Sequence, residues 1–364
     1  MKITNIETLR VDIPFTDGGR GEGLTPGRWN TLEMLLVRID TDSGLSGWGE
    51  CFGYFCADAV DAFLHRSVIP LLKDRRIDDP AAISLELQKR LALFGRYGIS
   101  IFALSGIDIA LWDLRGKAEE KSIAAMITAS PRDRVQAYAS LVRYGAPDIA
   151  AGFTARAVDE GYEHIKLHEI TRRDIAACNA VRGNARLMID VNCAWSEDEA
   201  RDMALWLKEL GATWLEEPTF PPEDMEQLAR LAQSTPDLAL SAGENLCTHW
   251  QFQPLIASGA VRFPQPSVTK VGGISEFLLV MNEARAAGLT VMPHSPYFGP
   301  GYLATLQLSA ALGPENLFEY LFVWPEAWLF PAMPQPARGW IAIPDGPGLG
   351  MDPDPEVIAQ YRVR

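Results

Sequence analysis

Three hydrophobic rhythms follow one another along the chain. From Ile3 to Ile13 apolar and polar residues alternate, Met34 to Asp40 is an apolar run, and Gly44 to Glu50 follows a turn, which predicts three strands. Between the first two, Phe15 to Asn30 is rich in Gly and polar residues, and a loop of that length in a compact domain reads as a lid or specificity loop. From 58 to 117 the spacing becomes helical, ending in Ala103 to Lys117 with apolar residues at i, i+3, i+4 and i+7. From Val135 onward short apolar runs alternate with amphipathic stretches, the pattern of a parallel sheet with helical crossovers. Strands are predicted at 135–141, 164–168, 187–192, 213–218, 238–244, 261–267, 289–294 and 316–321.

Eight such strands predict an α/β chain with a closed, TIM-like barrel. An open doubly wound sheet is the alternative, but it lacks here the glycine fingerprint of a dinucleotide site. The domains predicted are a cap at 1–125, a barrel at 126–324, and a tail at 325–364 returning to the cap, with Ile341 to Gly350 lying against it.

Composition narrows the partners more than the fold. The 364 residues are 48% hydrophobic and 22% charged, with a net charge of −14. Such an acidic chain is a poor match for nucleic acid or an anionic membrane, whose binding needs clustered Lys and Arg. A small anionic substrate stays open, because a bound divalent ion reverses the local sign. Cys51, Cys56, Cys178, Cys193 and Cys247 are scattered without a CxxC pair, which suits reduced thiols in a cytoplasm. Met1 to Glu7 alternates like a strand and has no apolar signal core, and no apolar run reaches membrane-spanning length.

Candidate chemistry concentrates at predicted strand ends. Asp190 in Leu187-Met188-Ile189-Asp190, Glu216 in Trp214-Leu215-Glu216 and Glu244 in Ala242-Gly243-Glu244 lie about one strand-helix unit apart. In a parallel barrel, successive strands deliver their last residues to one rim, so three acids in this phase converge. Three hard oxygen ligands select a hard cation, Mg²⁺ completed by water and substrate oxygens. On the second barrel strand Lys166 and His168 share a face. His294 ends the predicted seventh strand, and Glu319 lies in the eighth. A cation flanked by a Lys/His pair and an opposing His is what removal of a proton α to a carboxylate requires: positive charge on the oxygens and a base beside the carbon. Asn192 is placed to meet substrate. Lys270 reads equally as a site residue or a helix anchor. Glu217, Asp108 and Asp113 read as structural, and His65, His164 and His249 as ordinary surface histidines.

With these motifs the chain resembles the enolase superfamily, in its mandelate racemase and acid-sugar dehydratase branch. The resemblance rests on Lys166-Leu167-His168, Ile189-Asp190-Val191-Asn192, Glu216-Glu217-Pro218, Gly243-Glu244-Asn245, Lys270-Val271-Gly272-Gly273, Pro293-His294 and the Ile343-Pro344-Asp345-Gly346-Pro347-Gly348 tail. It implies a (β/α)₇β barrel with an α+β cap, and one Mg²⁺ on Asp190, Glu216 and Glu244. It further implies acid/base positions at Lys166 and His168, an opposing base at His294, an electrophilic carboxyl at Glu319, and a homo-oligomer. The cap segments that close over substrate in the family correspond to Arg20, Arg28, Trp29 and Tyr54. Two departures stand out. The second Lys of the usual KxK is His168, and the Asp that normally partners the seventh-strand His is Ser267. The expected activity is Mg²⁺-dependent α-proton removal from a hydroxy acid, dehydrating an acid sugar to a 2-keto-3-deoxy acid. The alternatives are epimerisation or lactone cycloisomerisation, and, in another class, a metal-stabilised carboxylate binder without turnover.

Overall fold

The computed structural model describes residues 1–20 and 29–363. Strands β1 (Ile3–Thr16), β2 (Thr31–Thr41) and β3 (Ser46–Cys51) form an antiparallel sheet. Its apolar face lies against the helix Ile99–Glu119, 21 residues long and apolar around most of its circumference, as befits a helix covered on several sides. Glycines set the approach: a Cβ on Gly49 would stand 1.9 Å from the Gly106 carbonyl oxygen. Any larger residue at Gly49 would push sheet and helix apart.

Eight strands make the second sheet, seven of them along one parallel path. β4 (Arg134–Ser140), β5 (His164–Leu167), β6 (Arg186–Asp190), β7 (Trp214–Glu216), β8 (Ala239–Ala242) and β9 (Phe263–Pro264) pair in parallel and in chain order, and β10 (Leu317–Leu321) pairs in parallel with β4. The last strand beside the first shows that the sheet curls, giving a barrel-like domain under a capping domain. Tyr138, Met188, Trp214, Met292 and Leu317 pack together as an apolar plug between its strands.

The predicted strand 289–294 is a correction. It runs extended beside β9, with Met292 N–H donating to Pro264 O at 3.1 Å and His294 N–H to Pro266 O at 3.2 Å, but forms no regular strand. Pro264, Pro266 and Pro293 each lack the N–H that a two-sided ladder needs. Toward β10 the link is a side chain, Asn316 Nδ2 donating to Val291 O at 2.9 Å.

The tail serves both domains, which also departs from expectation. Short strand β11 (Trp324–Pro325) pairs with β1 of the cap, but β12 (Trp340–Ala342) pairs antiparallel with β4. Only beyond it does the tail meet the cap helix, where Leu349 N–H donates to Asp113 at 2.8 Å. Asp113 also accepts from Trp48 N–H and Lys117, and Asp108 from Ser275 N–H and Oγ. These acids are structural clamps between cap, barrel and tail. Among the described residues no helix is long and apolar enough to cross a membrane.

A third buried acid, Glu50 of β3, accepts from Gly301 N–H at 2.8 Å. Burial pushes its carboxyl up to about 7, against the pull of that N–H. A carboxyl raised in the folded state favours folding when protonated, so this contribution is present at pH 4 and lost as pH rises toward 7. Glu50→Gln, which keeps an oxygen for Gly301, is expected to stabilise the protein at pH 8 by a few kcal/mol and to change little at pH 4. Thermal melts at the two pH values check this; equal shifts at both would refute it.

Candidate active site

Strand alternation places Trp214 and Glu216 on one face of β7, and Trp214 Nε1 donates to Glu216 at 3.0 Å. Asp190 ends β6 in parallel register with Glu216, and Glu244 follows β8 by two residues. One oxygen from each of these three buried carboxylates lies within 4.8 Å of the others. The chain leaves the rim by sharp turns: Asn192, Cys193 and Glu217 all have positive φ, at 46°, 61° and 39°. Such backbone is strained for non-glycine residues and clusters at functional sites.

Lys166 is fully buried beneath the acids. Its Nζ lies 2.8 Å from Glu319, 3.0 Å from Glu216 and 3.2 Å from Asp190. His168 stands one residue past β5, with Nδ1 against the Leu141 carbonyl and Nε2 3.2 Å from Asp190. His294 faces it across the site, with Nε2 3.2 Å from Glu244 and Nδ1 3.2 Å from Ser267 Oγ. Lys270 donates to Asn245 at 3.0 Å and lies 3.8 Å from Glu244. Glu319 accepts from Ser140 Oγ and Ser295 N–H, each at 2.8 Å.

The charges do not balance. Among the described residues, Asp190, Glu216, Glu244 and Glu319 make ion pairs with only two permanent cations, Lys166 and Lys270, while Arg143 acts on Asp190 from farther away and Glu217 adds a fifth acid. Burial pushes Asp190 up, yet Lys166 and His168 outweigh it and hold the carboxyl well below its usual range. Glu216 goes the other way, pushed well up by burial and by Asp190 beside it. Burial and Glu244 raise Glu217 to about 8. Burial opposes the Lys166 ammonium, but Glu216 and Glu319 raise it well above its ordinary value. Burial lowers His294, against the nearby Glu244. Adjacent carboxylates that cannot all ionise are what a divalent cation relieves. Three converging hard oxygens and the partnerless buried Oδ1 of Asn192 fit such an ion.

Above the acids opens a cavity of about 290 Å³ lined by His168, Asn192, Glu244, Lys270, His294 and Glu319 on its floor. Trp29, Phe52 and Tyr54 form one wall as a chain of ring contacts of 5.1 and 5.5 Å, and Tyr54 is pinned by its hydroxyl to Pro296 O at 2.7 Å. Of the cap residues expected here, Trp29 and Tyr54 reach the cavity, Arg20 is exposed and does not line it, and Arg28 lies outside the described residues. A larger cavity, about 1040 Å³, opens at the starts of the barrel strands and holds none of these groups.

Sequence reading missed Ser140, Phe52 and Tyr297. Tyr297 is buried, and its hydroxyl hydrogen-bonds Ser267. The signal was there in part: a tyrosine three residues after His294, where the usual carboxylate partner is missing.

Comparison with known proteins agrees with this architecture. Residues 24–128 match the family model described as mandelate racemase / muconate lactonizing enzyme, N-terminal domain, and residues 149–357 match that described as enolase C-terminal domain-like. The chain is 30% identical to a D-galactarolactone cycloisomerase of Agrobacterium fabrum, over 100% of this chain and 99% of that protein. It is 27% identical to an arabinonate dehydratase of Saccharolobus solfataricus, over 92% of this chain and 91% of that one. A crystal structure of a racemase from Streptomyces coelicolor A3(2) with bound magnesium superposes with a TM-score of 0.86 at 25% identity, covering 99% of this chain and 100% of that one.

Proposed function

The chain belongs to the mandelate racemase / muconate lactonizing enzyme family of the enolase superfamily, and from that premise we propose that it dehydrates an acid sugar by removing the proton α to its carboxylate. The observation that carries the reading is the juxtaposition of a three-carboxylate cluster with two histidines on opposite sides of one cavity. In this reading the curled sheet acts as a (β/α)₇β barrel, with the extended segment 289–294 standing in the place of a seventh strand. The cap comprises 1–125 and parts of 325–364, and the barrel 126–324.

Asp190, Glu216 and Glu244 would hold one Mg²⁺, which when bound supplies positive charge to the substrate carboxylate and makes the α-proton more acidic. His168 is the base. It lines the cavity whereas Lys166 lies beneath it, and its Nδ1 faces a carbonyl oxygen, which accepts only. With Nδ1 donating to that carbonyl, Nε2, which lies 3.2 Å from Asp190, is the ring atom that would take the α-proton once the cation engages that carboxylate. Lys166 balances the negative charge that develops on the enediolate. His294 protonates the departing β-hydroxyl from the opposite side. Burial raises the Glu319 carboxyl, but Lys166 and His294 outweigh it and bring it down to about 2, so in this reading Glu319 anchors Lys166 at 2.8 Å instead of donating to the substrate carboxylate, and Asn192 and Lys270 bind substrate oxygens.

A second reading, cycloisomerisation of a sugar lactone, is favoured by the full-length similarity to a galactarolactone cycloisomerase. The two differ in whether the oxygen expelled from the β-carbon leaves as water or stays tethered as the carboxylate of the opened lactone.

Incubating the Mg²⁺-loaded protein in D₂O with aldonic acids, aldaric acids and their lactones, followed by mass spectrometry, separates them. Loss of water supports dehydration, an isomer of unchanged heavy-atom mass supports cycloisomerisation, and no change in any acid rejects both. His168→Ala is expected to lower α-deuterium exchange by about 10²- to 10⁴-fold while preserving Mg²⁺ binding; undiminished exchange would move the base to Lys166.

A further inference from the structure

Arg143 is half-buried beside the cavity without lining it, and it touches the ends of two neighbouring strands at once. We propose that it is a positioning residue: its guanidinium ties the end of β5, which leads into His168, to the end of β6, which carries Asp190, and so fixes the base against the metal site. The catalytic part of this inference rests on the function proposed above; the tie between the strand ends does not.

The regular pairing of β5 with β6 ends at Leu167 and Ile189, one residue short of His168 and one short of Asp190. Beyond that point the two chains part. β5 runs into an irregular loop, and β6 turns sharply at Asn192 and Cys193, both with positive φ. Arg143 spans the gap: its Nε donates to His168 O at 2.7 Å and its Nη2 to Val191 O at 3.3 Å. These two main-chain carbonyls are its hydrogen-bond partners among the described residues. The rest of its segment, which follows β4, grips the same place. Leu141 N–H donates to Lys166 O at 2.9 Å, and Leu141 O meets the His168 ring. Tyr144 and Gly145 N–H donate to the Glu169 carboxylate at 2.7 and 3.1 Å.

A guanidinium suits this task because it holds several donors in one rigid plane, so two carbonyls that share it are kept at a set separation. A lysine would bring the same charge from one flexible point. Charge by itself is the rival account, since Asp190 and Glu169 are close enough to act on the guanidinium. The two accounts differ in one respect: only the fork sets a distance. His168 Nε2 lies 3.2 Å from Asp190, so base and metal site are immediate neighbours, and a slip of one strand end past the other moves the base relative to the metal site. Misplacement of a reacting group by about 1 Å costs on the order of 10²-fold in rate.

The test uses Arg143→Ala, Arg143→Lys and added guanidinium. On the substrate found by the screen, Arg143→Ala should lower kcat about 10- to 100-fold with KM within about 3-fold, the split expected when a reacting group and not a binding group is displaced. α-Deuterium exchange should fall with kcat. Millimolar guanidinium should restore most of the loss without affecting the unmodified protein, whereas ethylammonium or sodium chloride at the same concentration should not. Arg143→Lys, which keeps the charge but not the fork, should stay within about 3-fold of Arg143→Ala. A second readout needs no substrate. Half of the Mg²⁺-dependent thermal stabilisation should require about 10-fold more Mg²⁺ in Arg143→Ala, the low end of what groups supporting a metal ligand contribute, and guanidinium should reverse that shift as well. Undiminished kcat with an unchanged Mg²⁺ midpoint overturns the tie. Full kcat in Arg143→Lys, or rescue by ethylammonium equal to that by guanidinium, would make Arg143 a charge and not a fork and overturns the positioning role. If the unmodified protein binds Mg²⁺ but turns over no acid, the proposed reaction is rejected, and the Mg²⁺ midpoints alone decide the tie.

Discussion

Glu216→Gln is expected to remove Mg²⁺-dependent thermal stabilisation and turnover together. The side chain is fully buried at the end of β7, with Oε1 3.0 Å from Lys166 Nζ and Oε2 3.0 Å from Trp214 Nε1. Glutamine has the same shape and can still accept from the indole, so the packing around Trp214 is retained. What it removes is one of three anionic oxygens for the cation, and one of five carboxylates crowded around two lysines. In the unmodified protein, Mg²⁺ at about 100 times its dissociation constant should stabilise the fold by about 2.7 kcal/mol. Melts in EDTA and in Mg²⁺ read that increment directly. For Glu216→Gln the two curves should coincide. In EDTA the variant should melt at or above the unmodified protein, because it carries less buried repulsion next to Asp190. A Mg²⁺ shift of the original size in Glu216→Gln, or turnover that survives EDTA, would sink the three-carboxylate assignment.

The acids were legible from sequence because their signal is repeated and local. Each follows a short apolar run, and parallel strands of one sheet carry residues of equal phase to one edge, so Asp190, Glu216 and Glu244 could be aligned without knowing the loops. The Lys166 and His168 pair was legible for the same reason, although His168 lies just past its strand. The structure departs where the deciding interaction is between distant segments. Prolines at 264 and 266 on one strand and 293 on the next jointly weaken the predicted seventh strand, and no single window shows that. Ile341 was expected against the cap, but pairs with Val135 at the start of β4, a choice set by which sheet edge is within reach. Arg20 was expected at the site because it lies in a cap segment that closes over substrate in the resembling family, yet position in a segment does not say which way an exposed arginine turns. Ser267 read as a departure because only the missing carboxylate was visible; the buried Tyr297 hydroxyl that meets it arrives through tertiary packing.

Lys166→Met is expected to be the most destabilising single change in the site, and only when the metal is absent. Its ammonium touches Glu319, Glu216 and Asp190 at 2.8, 3.0 and 3.2 Å, with both sides of each pair almost wholly buried. Removing one partner of such a cluster leaves uncompensated buried charge, which costs about 3–5 kcal/mol. Methionine fills the stem volume but brings no positive charge, so in EDTA the melting temperature should fall sharply. Mg²⁺ sits on two of the same three carboxylates in the proposed site and should recover much of that loss. The variant therefore shows a larger Mg²⁺ increment than the unmodified protein, the opposite of Glu216→Gln. Its chemistry divides the two basic groups. If Lys166 acts by balancing charge, α-deuterium exchange should drop yet stay measurable, since His168 still abstracts the proton. If exchange vanishes in Lys166→Met and survives in His168→Ala, the lysine is the base and the histidine its support. A melting temperature in EDTA equal to that of the unmodified protein would mean that the carboxylates shed their charge by taking up protons, and that the buried lysine is not what holds them ionised.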